Sequence, residues 1–435
     1  MKYFIETYGC QMNVADSEIV STILNQSGYI KTDHIENADI ILVNTCSIRQ
    51  NAENRVRGRL SIFKKQKNER NVIVGVLGCM AERLKENLIE QEKTVDIVIG
   101  PDSYRLLPQI IDEALSGRKV VQTMLSDDET YEDIIPVRYD SNGVSAFISI
   151  MRGCQNFCSY CIVPYVRGVE RSRNPVTILK EIEDIHTKGY KEITLIGQNV
   201  DSYNYHEISF ANLLEQVAIN FPNVRIRFST NHPKDLSNKV LATMAKYSNI
   251  CHHIHLPVQS GSDHMLRLMN RGYTRQDYLN RINAIKQYLP DCAISTDIMV
   301  GFCDETEEDH QQTLHLLEEV GYDFAFMFKY SERSGTYAAK NMRDNVPEKE
   351  KIRRLNEVIE LQNKIGCKSK EKDVGKIYEV LVEGKSKKSD MEYMGRNSQN
   401  KVIVFPSDNV LMPGNLVYVK VEKYTSATLI GKIIK

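Results

Sequence analysis

Ala146-Phe-Ile-Ser-Ile-Met151 leads into Cys154-Gln-Asn-Phe-Cys158-Ser-Tyr-Cys161, and how this stretch is read decides the rest of the chain. The first six residues are a strand-like apolar run, and three cysteines follow directly at its end. A CxxC pair alone serves zinc, a redox dithiol or two buried thiols. A third cysteine at this spacing, just past a strand, favours an iron–sulfur cluster, which ordinarily takes four protein thiolates. Three thiolates leave one iron open, and an open iron on a redox cluster is a place to bind and reduce a small molecule.

Further strand candidates end near Gly197, Ser229, Pro257, Val300 and Lys329. Helices fall between them, as from Pro175 to Lys188, with Asn174 as cap and Gly189 as stop. Six βα units are two short of a closed eight-stranded barrel. The centre of the chain is therefore expected to be an open six-unit βα barrel with a lateral mouth.

Toward the amino terminus lie three apolar runs of one form, each ending in cysteine: Tyr3-Phe-Ile-Glu-Thr-Tyr-Gly-Cys10, Asp39-Ile-Ile-Leu-Val-Asn-Thr-Cys46 and Val72-Ile-Val-Gly-Val-Leu-Gly-Cys79. Helix-like segments, Asp16 to Gly28 and a basic stretch from about Ala52 to Asn68, separate them. That alternation predicts an open parallel α/β sheet with helices on both faces, where ligands gather at the carboxyl ends of the strands. A single cysteine at a strand end is ordinarily a small buried hydrophobe. Three at the tips of three strands in one sheet would converge into a second set of thiolates with an open iron.

The acidic, turn-rich run Ser126-Asp-Asp-Glu-Thr-Tyr-Glu-Asp133 reads as a linker. Pro347 opens a charged helix to about Lys364, with Ile352, Leu355 and Ile359 on one face. Beyond it, period-two runs at Lys376 to Glu383, Lys401 to Phe405 and Leu416 to Val421 predict a small closing β-barrel. The expected divisions are 1–125 (parallel sheet), 126–140 (linker), 141–370 (barrel with trailing helix) and 371–435 (small β-barrel).

The 435 residues carry a net charge of −1, which gives no global electrostatic footprint for nucleic acid. The start has a charge inside what would be a signal-peptide core, and no apolar run approaches the ~18 residues of a membrane span. The chain thus reads as cytoplasmic, with no membrane partner. Its ten cysteines are expected to be reduced thiols doing metal or redox chemistry.

Taken together, these motifs carry a family resemblance. CxxxCxxC after a strand resembles the signature of the radical S-adenosylmethionine (SAM) enzymes, in which SAM chelates the open iron. Thr7-Tyr-Gly-Cys-Gln-Met-Asn13, Asn44-Thr-Cys-Ser-Ile-Arg49 and Gly78-Cys-Met-Ala-Glu-Arg83 resemble the amino-terminal domain of radical SAM methylthiotransferases. Met151 to Gly168 with Arg171-Ser-Arg173, Gly197-Gln-Asn-Val-Asp-Ser-Tyr203 and His255-Leu-Pro-Val-Gln-Ser-Gly-Ser262 most resemble the MiaB family, and the closing barrel resembles a TRAM domain. The likeness covers essentially the whole chain.

The resemblance implies a tRNA methylthiotransferase that adds a methylthio group to carbon 2 of the isopentenylated adenosine beside the anticodon. One SAM would donate a methyl group at an auxiliary 4Fe–4S cluster held by Cys10, Cys46 and Cys79. A second SAM, on a 4Fe–4S cluster held by Cys154, Cys158 and Cys161, would be the radical source. No acid–base catalytic residue is expected, because the cofactors carry the hard step. Tyr160, Arg173, Gly197, Gln198, Asn199, Gln259 and Asp297 are the expected SAM contacts.

For the tRNA anticodon stem-loop the sequence offers local charge. From Arg49 to Arg70 stand eight basic residues against two acidic ones, with Arg55, Arg57 and Arg59 foremost, and the last domain adds Lys387, Lys388 and Arg396. Phe157 and Tyr165 read as core aromatics rather than base-stacking ones. The other expected partners are an electron-donor protein and a sulfur source, with the chain acting as a monomer. Rival readings are a methylthiotransferase acting on threonylcarbamoyl adenosine or on a ribosomal-protein aspartate, and a non-catalytic Fe–S module that binds RNA. At Gly301-Phe-Cys-Asp-Glu-Thr306, Cys303 and Asp304 replace the proline and glycine of the commoner motif. Cys251, Cys292, Cys303 and Cys367 read as ordinary thiols, and His232 is given no catalytic role.

Overall fold

The computed structural model describes residues 1–47, 50–138, 143–229, 231–387 and 389–434, and the backbone alone at 50–52 and 390. Ile40–Thr45 and Ile73–Gly78 are buried along their whole length, as parallel strands covered by helices on both faces must be. They are β3 and β4 of a six-stranded parallel sheet completed by β1 (Lys2–Tyr8), β2 (Ile30–Lys31), β5 (Ile97–Ile99) and β6 (Val120–Gln122), in the order β2-β1-β3-β4-β5-β6. Helices α1 (Gln11–Gln26) and α5 (Leu107–Leu115) bury Ile19, Val20, Leu107 and Ile111 on one face. On the other, α2 (Gln50–Glu69), α3 (Cys79–Leu84) and α4 (Glu86–Gln91) bury Val56, Phe63, Met80 and Leu88. Strand order reverses between β1 and β3, and Tyr8, Thr45 and Gly78 share one register row. Cys10, Cys46 and Cys79 therefore leave three neighbouring strands at one height, beside the switch point.

The first helix starts at Gln11, five residues before the expected Asp16. Cys10 itself occupies the N-cap, and Asp16, Ser17 and Glu18 are buried inside the helix rather than opening it. The expected linker is packed, with Tyr131 and Ile134 in the core of the first sheet.

The second parallel array begins with β7 (Ser145–Ser149). A short ladder of β8 (Met151–Arg152) against β9 (Arg171–Ser172) closes the cysteine loop, which contains α6 (Val163–Arg167). The other barrel strands are β10 (Glu192–Ile196), β13 (Arg225–Phe228), β14 (His253–His255), β15 (Ala293–Val300) and β16 (Phe324–Lys329). A two-residue hairpin, β11 (Asn204–Tyr205) and β12 (Ile208–Ser209), lies between β10 and β13. Two parallel triplets, β13-β10-β7 and β14-β15-β16, meet at the Ile226–Ile250 bridge. The array carries the expected six strands and stays open between β7 and β16. Helices α7 (Pro175–Thr187), α8 (Phe210–Asn220), α9 (Asn238–Lys246), α10 (Asp263–Leu268), α11 (Arg275–Tyr288) and α12 (Glu307–Val320) return the chain, followed by α13 (Tyr337–Asn341).

Helix α14 (Glu348–Glu371) runs seven residues past the expected Lys364 and buries a different stripe from the one predicted. Lys351, Arg354, Val358, Gln362 and Gly366 face inward, while Ile352 is exposed. Pairing makes this possible: Lys351 Nζ meets Asp344 at 2.6 Å and Arg354 Nη1 meets Glu305 at 2.8 Å. The last domain is a closed barrel, β17-β18-β19-β21-β20. It contains the three expected strands, β17 (Ile377–Ser386), β19 (Val402–Pro406) and β20 (Leu416–Tyr424), and two unforeseen ones, β18 (Ser389–Arg396) and β21 (Leu429–Ile433). It docks on the entry side of the central strands, where Arg225 Nη1 donates to Arg396 O (2.9 Å) and Arg227 Nη2 to Asn397 O (2.7 Å).

Candidate functional site

The three strand-tip cysteines are brought together. Cys46 N donates to Tyr8 O at 3.0 Å, which seats it against the end of β1. Asn13 Oδ1 accepts from the backbone N and the Sγ of Cys10, both at 3.3 Å, and Asn13 Nδ2 donates to Asn44 Oδ1 at 3.1 Å. A hydrogen bond between the Cys10 and Cys46 side chains pulls the Cys10 thiol down to about 6 against the cost of burial, with Arg167 contributing positive charge. Burial raises Cys79, and Arg167 opposes the rise by donating from Nε to Cys79 Sγ at 3.1 Å.

The loop cysteines lie close enough to repel one another as thiolates. Cys161 is raised, first by burial and then by Cys158; Cys154 is pushed up to about 11, mainly by burial. The loop is pinned by Cys154 N to Gly168 O (3.2 Å), Ser159 N to Met269 O (3.0 Å) and Ser159 Oγ to Leu268 O (2.7 Å). Arg271 Nη1 donates to Cys158 Sγ at 3.1 Å.

The two trios are neighbours. Cys79 packs in one buried cluster with Ile162 and Val166 of the loop. Cys10 and Phe147 of β7 both pack on a buried cluster of Met12, Ala15 and Ile196, the last at the end of β10. Among the described residues no three His, Cys, Asp or Glu side chains close on a point that a single metal ion would fill; three cysteine thiolates are the donor set of an iron–sulfur cluster with one iron left open.

A buried charge ladder joins the two domains beside the trios. Arg167 Nη2 pairs with Asp16 at 2.7 Å, Asp16 with Arg152 Nη1 at 3.0 Å, Arg152 Nε with Asp102 at 3.6 Å and Asp102 with Arg171 Nη1 at 2.8 Å, none of these side chains more than 3% exposed. Burial alone would raise Asp16, but Arg152 and Arg167 hold its carboxyl below the usual range. The Arg152 guanidinium also sits 4.9 Å from the Tyr131 ring.

At the exit ends of the central strands, Gln198 Oε1 and Asn199 Oδ1 are buried without a protein partner, while Asn199 Nδ2 donates to Asp235 at 2.7 Å. Buried acceptors without a protein partner fit a ligand with donor groups. Gly197 lies against Met151 so closely that a Cβ would overlap its side chain. Gln259 takes a left-handed φ of 75° to bridge β15 at Ile298. Asp297 lies 3.4 Å from His255 Nε2. Tyr160 packs edge-on to Phe302, with 6.3 Å between ring centroids. Arg173 is buried rather than on the surface, donating to Ser149 O and Glu181 at 2.7 Å each. At Asp304 a left-handed φ of 61° keeps the turn that a glycine would make more readily. Burial holds His232 neutral, at about 2.

The basic residues separate by environment. Arg57 pairs with Glu92 (2.8 Å), Arg59 with Glu6 and the exposed Lys65 with Glu69 (3.9 Å), whereas Arg55 and Lys64 are exposed. Lys387 is exposed, Arg396 pairs with Glu383 at 2.7 Å, and Lys388 and Arg49 lie outside the described residues. Phe157 and Tyr165 are not core aromatics. They stand 48% and 40% exposed in an edge-on pair, centroids 6.1 Å apart, with Lys340 Nζ 5.7 Å from the Tyr165 ring. Phe157 also has a positive φ of 45°. Sequence reasoning missed the Arg167 and Arg271 contacts, since arginine is usually a surface residue and both sulfurs are remote in sequence.

Three family models match the chain: uncharacterized protein family UPF0004 over residues 2–100, the radical SAM superfamily over 148–317 and the TRAM domain over 371–434. Solved structures share the fold. Radical SAM methyltransferase TsrM from Kitasatospora setae superposes with a TM-score of 0.60 at 11% identity, covering 78% of this chain and 74% of that one. The cobalamin-dependent SAM radical enzyme OxsB gives 0.55 at 14%, covering 83% and 56%. The tRNA-2-methylthio-N(6)-dimethylallyladenosine synthase of Parabacteroides distasonis is 55% identical over 439 residues, spanning 100% of this chain and 96% of the relative. That of Porphyromonas gingivalis strain W83 is 52% identical over 442 residues, spanning 100% and 95%. Matched along its whole length by relatives of this name, the chain belongs to the radical SAM methylthiotransferases, in the family of the tRNA-2-methylthio-N(6)-dimethylallyladenosine synthases.

Proposed function

We propose that this protein adds a methylthio group to carbon 2 of the isopentenylated adenosine beside the tRNA anticodon. Cys154, Cys158 and Cys161 would hold a SAM-binding 4Fe–4S cluster, and Cys10, Cys46 and Cys79 an auxiliary one. The observation that supports this reading is the packing of Cys79 on Ile162 and Val166, which sets one cysteine of the first trio against the loop that carries the second. Sulfur insertion at an unactivated carbon needs that adjacency, because hydrogen removal and sulfur delivery must reach the same atom. The bound groups supply the reductive cleavage of SAM and a methylated sulfur.

The chain's own residues position and shield. Gln198 and Asn199 accept from the SAM amino group, Gly197 lets the β7 and β10 tips close, and Gln259 and Asp297 line the adjoining strands. Tyr160 packs beside the adenine side, and Arg173 braces the loop through Glu181. The target base is unstacked cheaply from an anticodon loop. Phe157 and Tyr165 offer it, or its neighbour, an exposed stacking surface with Lys340 near the phosphates. Residues 1–125, 141–370 and 371–435 act as three domains, the last contributing RNA affinity through Lys387 and its neighbours. The protein works in the cytoplasm as a monomer, with an electron-donor protein and a sulfur source as partners. Among the described residues no helix is long and apolar enough to cross a membrane.

The test incubates reconstituted protein with SAM, reductant and anticodon stem-loops carrying either the isopentenyl or the threonylcarbamoyl adenosine, then identifies the product nucleoside by mass spectrometry. Methylthio product from the isopentenyl stem-loop alone is expected. Product from the threonylcarbamoyl stem-loop alone would move the protein to the sister activity, and absence of SAM cleavage would leave only an Fe–S module. Cys46→Ala is expected to cleave SAM and insert no sulfur.

A further inference from the structure

Each cysteine trio is met by one buried arginine. Arg167 donates from Nε to Cys79 Sγ and Arg271 from Nη1 to Cys158 Sγ, both at 3.1 Å. The two arginines are 2% and 5% exposed, so little water screens their charge. We propose that Arg167 and Arg271 are positioning residues, each raising the reduction potential of the group on its own trio through a charged N–H donated to one thiolate.

This rests on the functional reading above, in which both trios carry redox clusters. Reduction adds negative charge to a cluster, and its ligating sulfurs bear part of that charge. A cationic donor on such a sulfur stabilises the reduced form, which is one of the ways a protein sets these potentials.

Neither guanidinium depends on the sulfur for its orientation. Asp16 holds Arg167 at 2.7 Å, and Asp16 has a second cation in Arg152, so the Cys79 bond is not needed to satisfy that carboxylate. Arg271 is fixed by Pro257 O at 2.8 Å and Tyr273 Oη at 3.1 Å. Their surroundings differ in charge. Asp16 partly neutralises Arg167, whereas these partners of Arg271 are a carbonyl and a phenol. The loop trio therefore feels the fuller positive charge, and the larger influence belongs to Arg271.

The test compares Arg167→Gln and Arg271→Gln, with Arg167→Lys and Arg271→Lys beside them, in the reconstituted full chain. Iron content, thermal unfolding and a redox titration followed by electron paramagnetic resonance are read on each. Arg167→Gln is expected to move only the auxiliary cluster to a more negative midpoint. Arg271→Gln should move only the SAM-binding cluster, and by more, and each lysine variant should return part of the shift. Wild-type midpoints in both glutamine variants, or equal movement of both clusters in either, overturn the proposal. So does loss of iron in the glutamine and lysine forms alike, which would make the arginines parts of the fold alone. Wild-type protein that takes up about four irons instead of about eight defeats the two-cluster reading itself, before any variant is titrated.

Discussion

Glu82, three residues beyond Cys79, is a carboxylate in a place that does not suit one. It is 2% exposed, its Oε2 has no hydrogen-bond partner, and burial, with Asp102 adding repulsion against Lys85, pushes it up to about 7. An ordinary carboxyl titrates at ~4.3, so the folded chain binds this proton more tightly than the unfolded one. Stability from this group is full below that value, falls as pH rises through about 7, and is flat above. Glu82→Gln should flatten the curve and stabilise the protein at pH 8 by on the order of 2 kcal/mol; urea unfolding at pH 5 and pH 8 checks it, and parallel pH dependences would refute it. At the reaction mouth, Phe157→Ala is expected to weaken stem-loop binding by roughly 1–3 kcal/mol with little change in thermal stability, because its ring is half exposed. A loss of stability with unchanged RNA affinity would return it to the core. The grouping of the cysteines was legible in the sequence, the loop trio from its tight spacing and the other from its repeated place at the ends of apolar runs. Arg167 and Arg271 were not, since each meets its sulfur across 88 or 113 residues that only folding brings together.

Elements were legible where one period ruled. The six barrel strands and α7 lie within a few residues of expectation, since apolar strands and a capped, proline-led helix depend on local sequence alone. Helix α14 shows where that fails. Its apolar Ile352 points to water while Lys351 and Arg354 go inward, because long cations with a fixed carboxylate partner can be buried and hydropathy does not register the partner. Strands β18 and β21 escaped notice because Ser389–Arg396 is too polar and Leu429–Ile433 is broken by Gly431 and Lys432, so neither shows a clear alternation. One element carries a sharp prediction. The β8–β9 ladder closes the cysteine loop, and Gly153 at its end has φ 81° with no room for a Cβ beside Val169 O. Gly153→Ala should open the loop and cost the chain about four of about eight irons while far-ultraviolet circular dichroism stays unchanged; retention of all the iron would show that the ladder is not what holds the loop.

The whole molecule is held together by charge at its joints: Arg225 and Arg227 reach the small barrel, and the Arg167–Asp16–Arg152–Asp102–Arg171 ladder joins the sheet domain to the central one. None of this pairing is local, which is why the sequence yields three domains and not their arrangement. The same separation of paired from free charge redirects the RNA prediction. Replacing Arg55 and Lys64 by Ala should weaken tRNA binding and flatten its salt dependence, whereas Arg57→Ala, which breaks the Glu92 pair, should not. Equal effects from both would make the helix a uniform basic surface. The ladder also has a consequence in time. The later of its two acids, Asp102, emerges from the ribosome about 50 residues ahead of Arg152, a delay of roughly 3–10 s at ordinary synthesis rates, and Asp16 emerges earlier still. During that interval the nascent sheet domain must keep two uncompensated carboxylates wet. The partners that neutralise them, Arg152, Arg167 and Arg171, all flank the cysteine loop, so the carboxyl edge of the sheet gains its counter-charge only when that loop has been made.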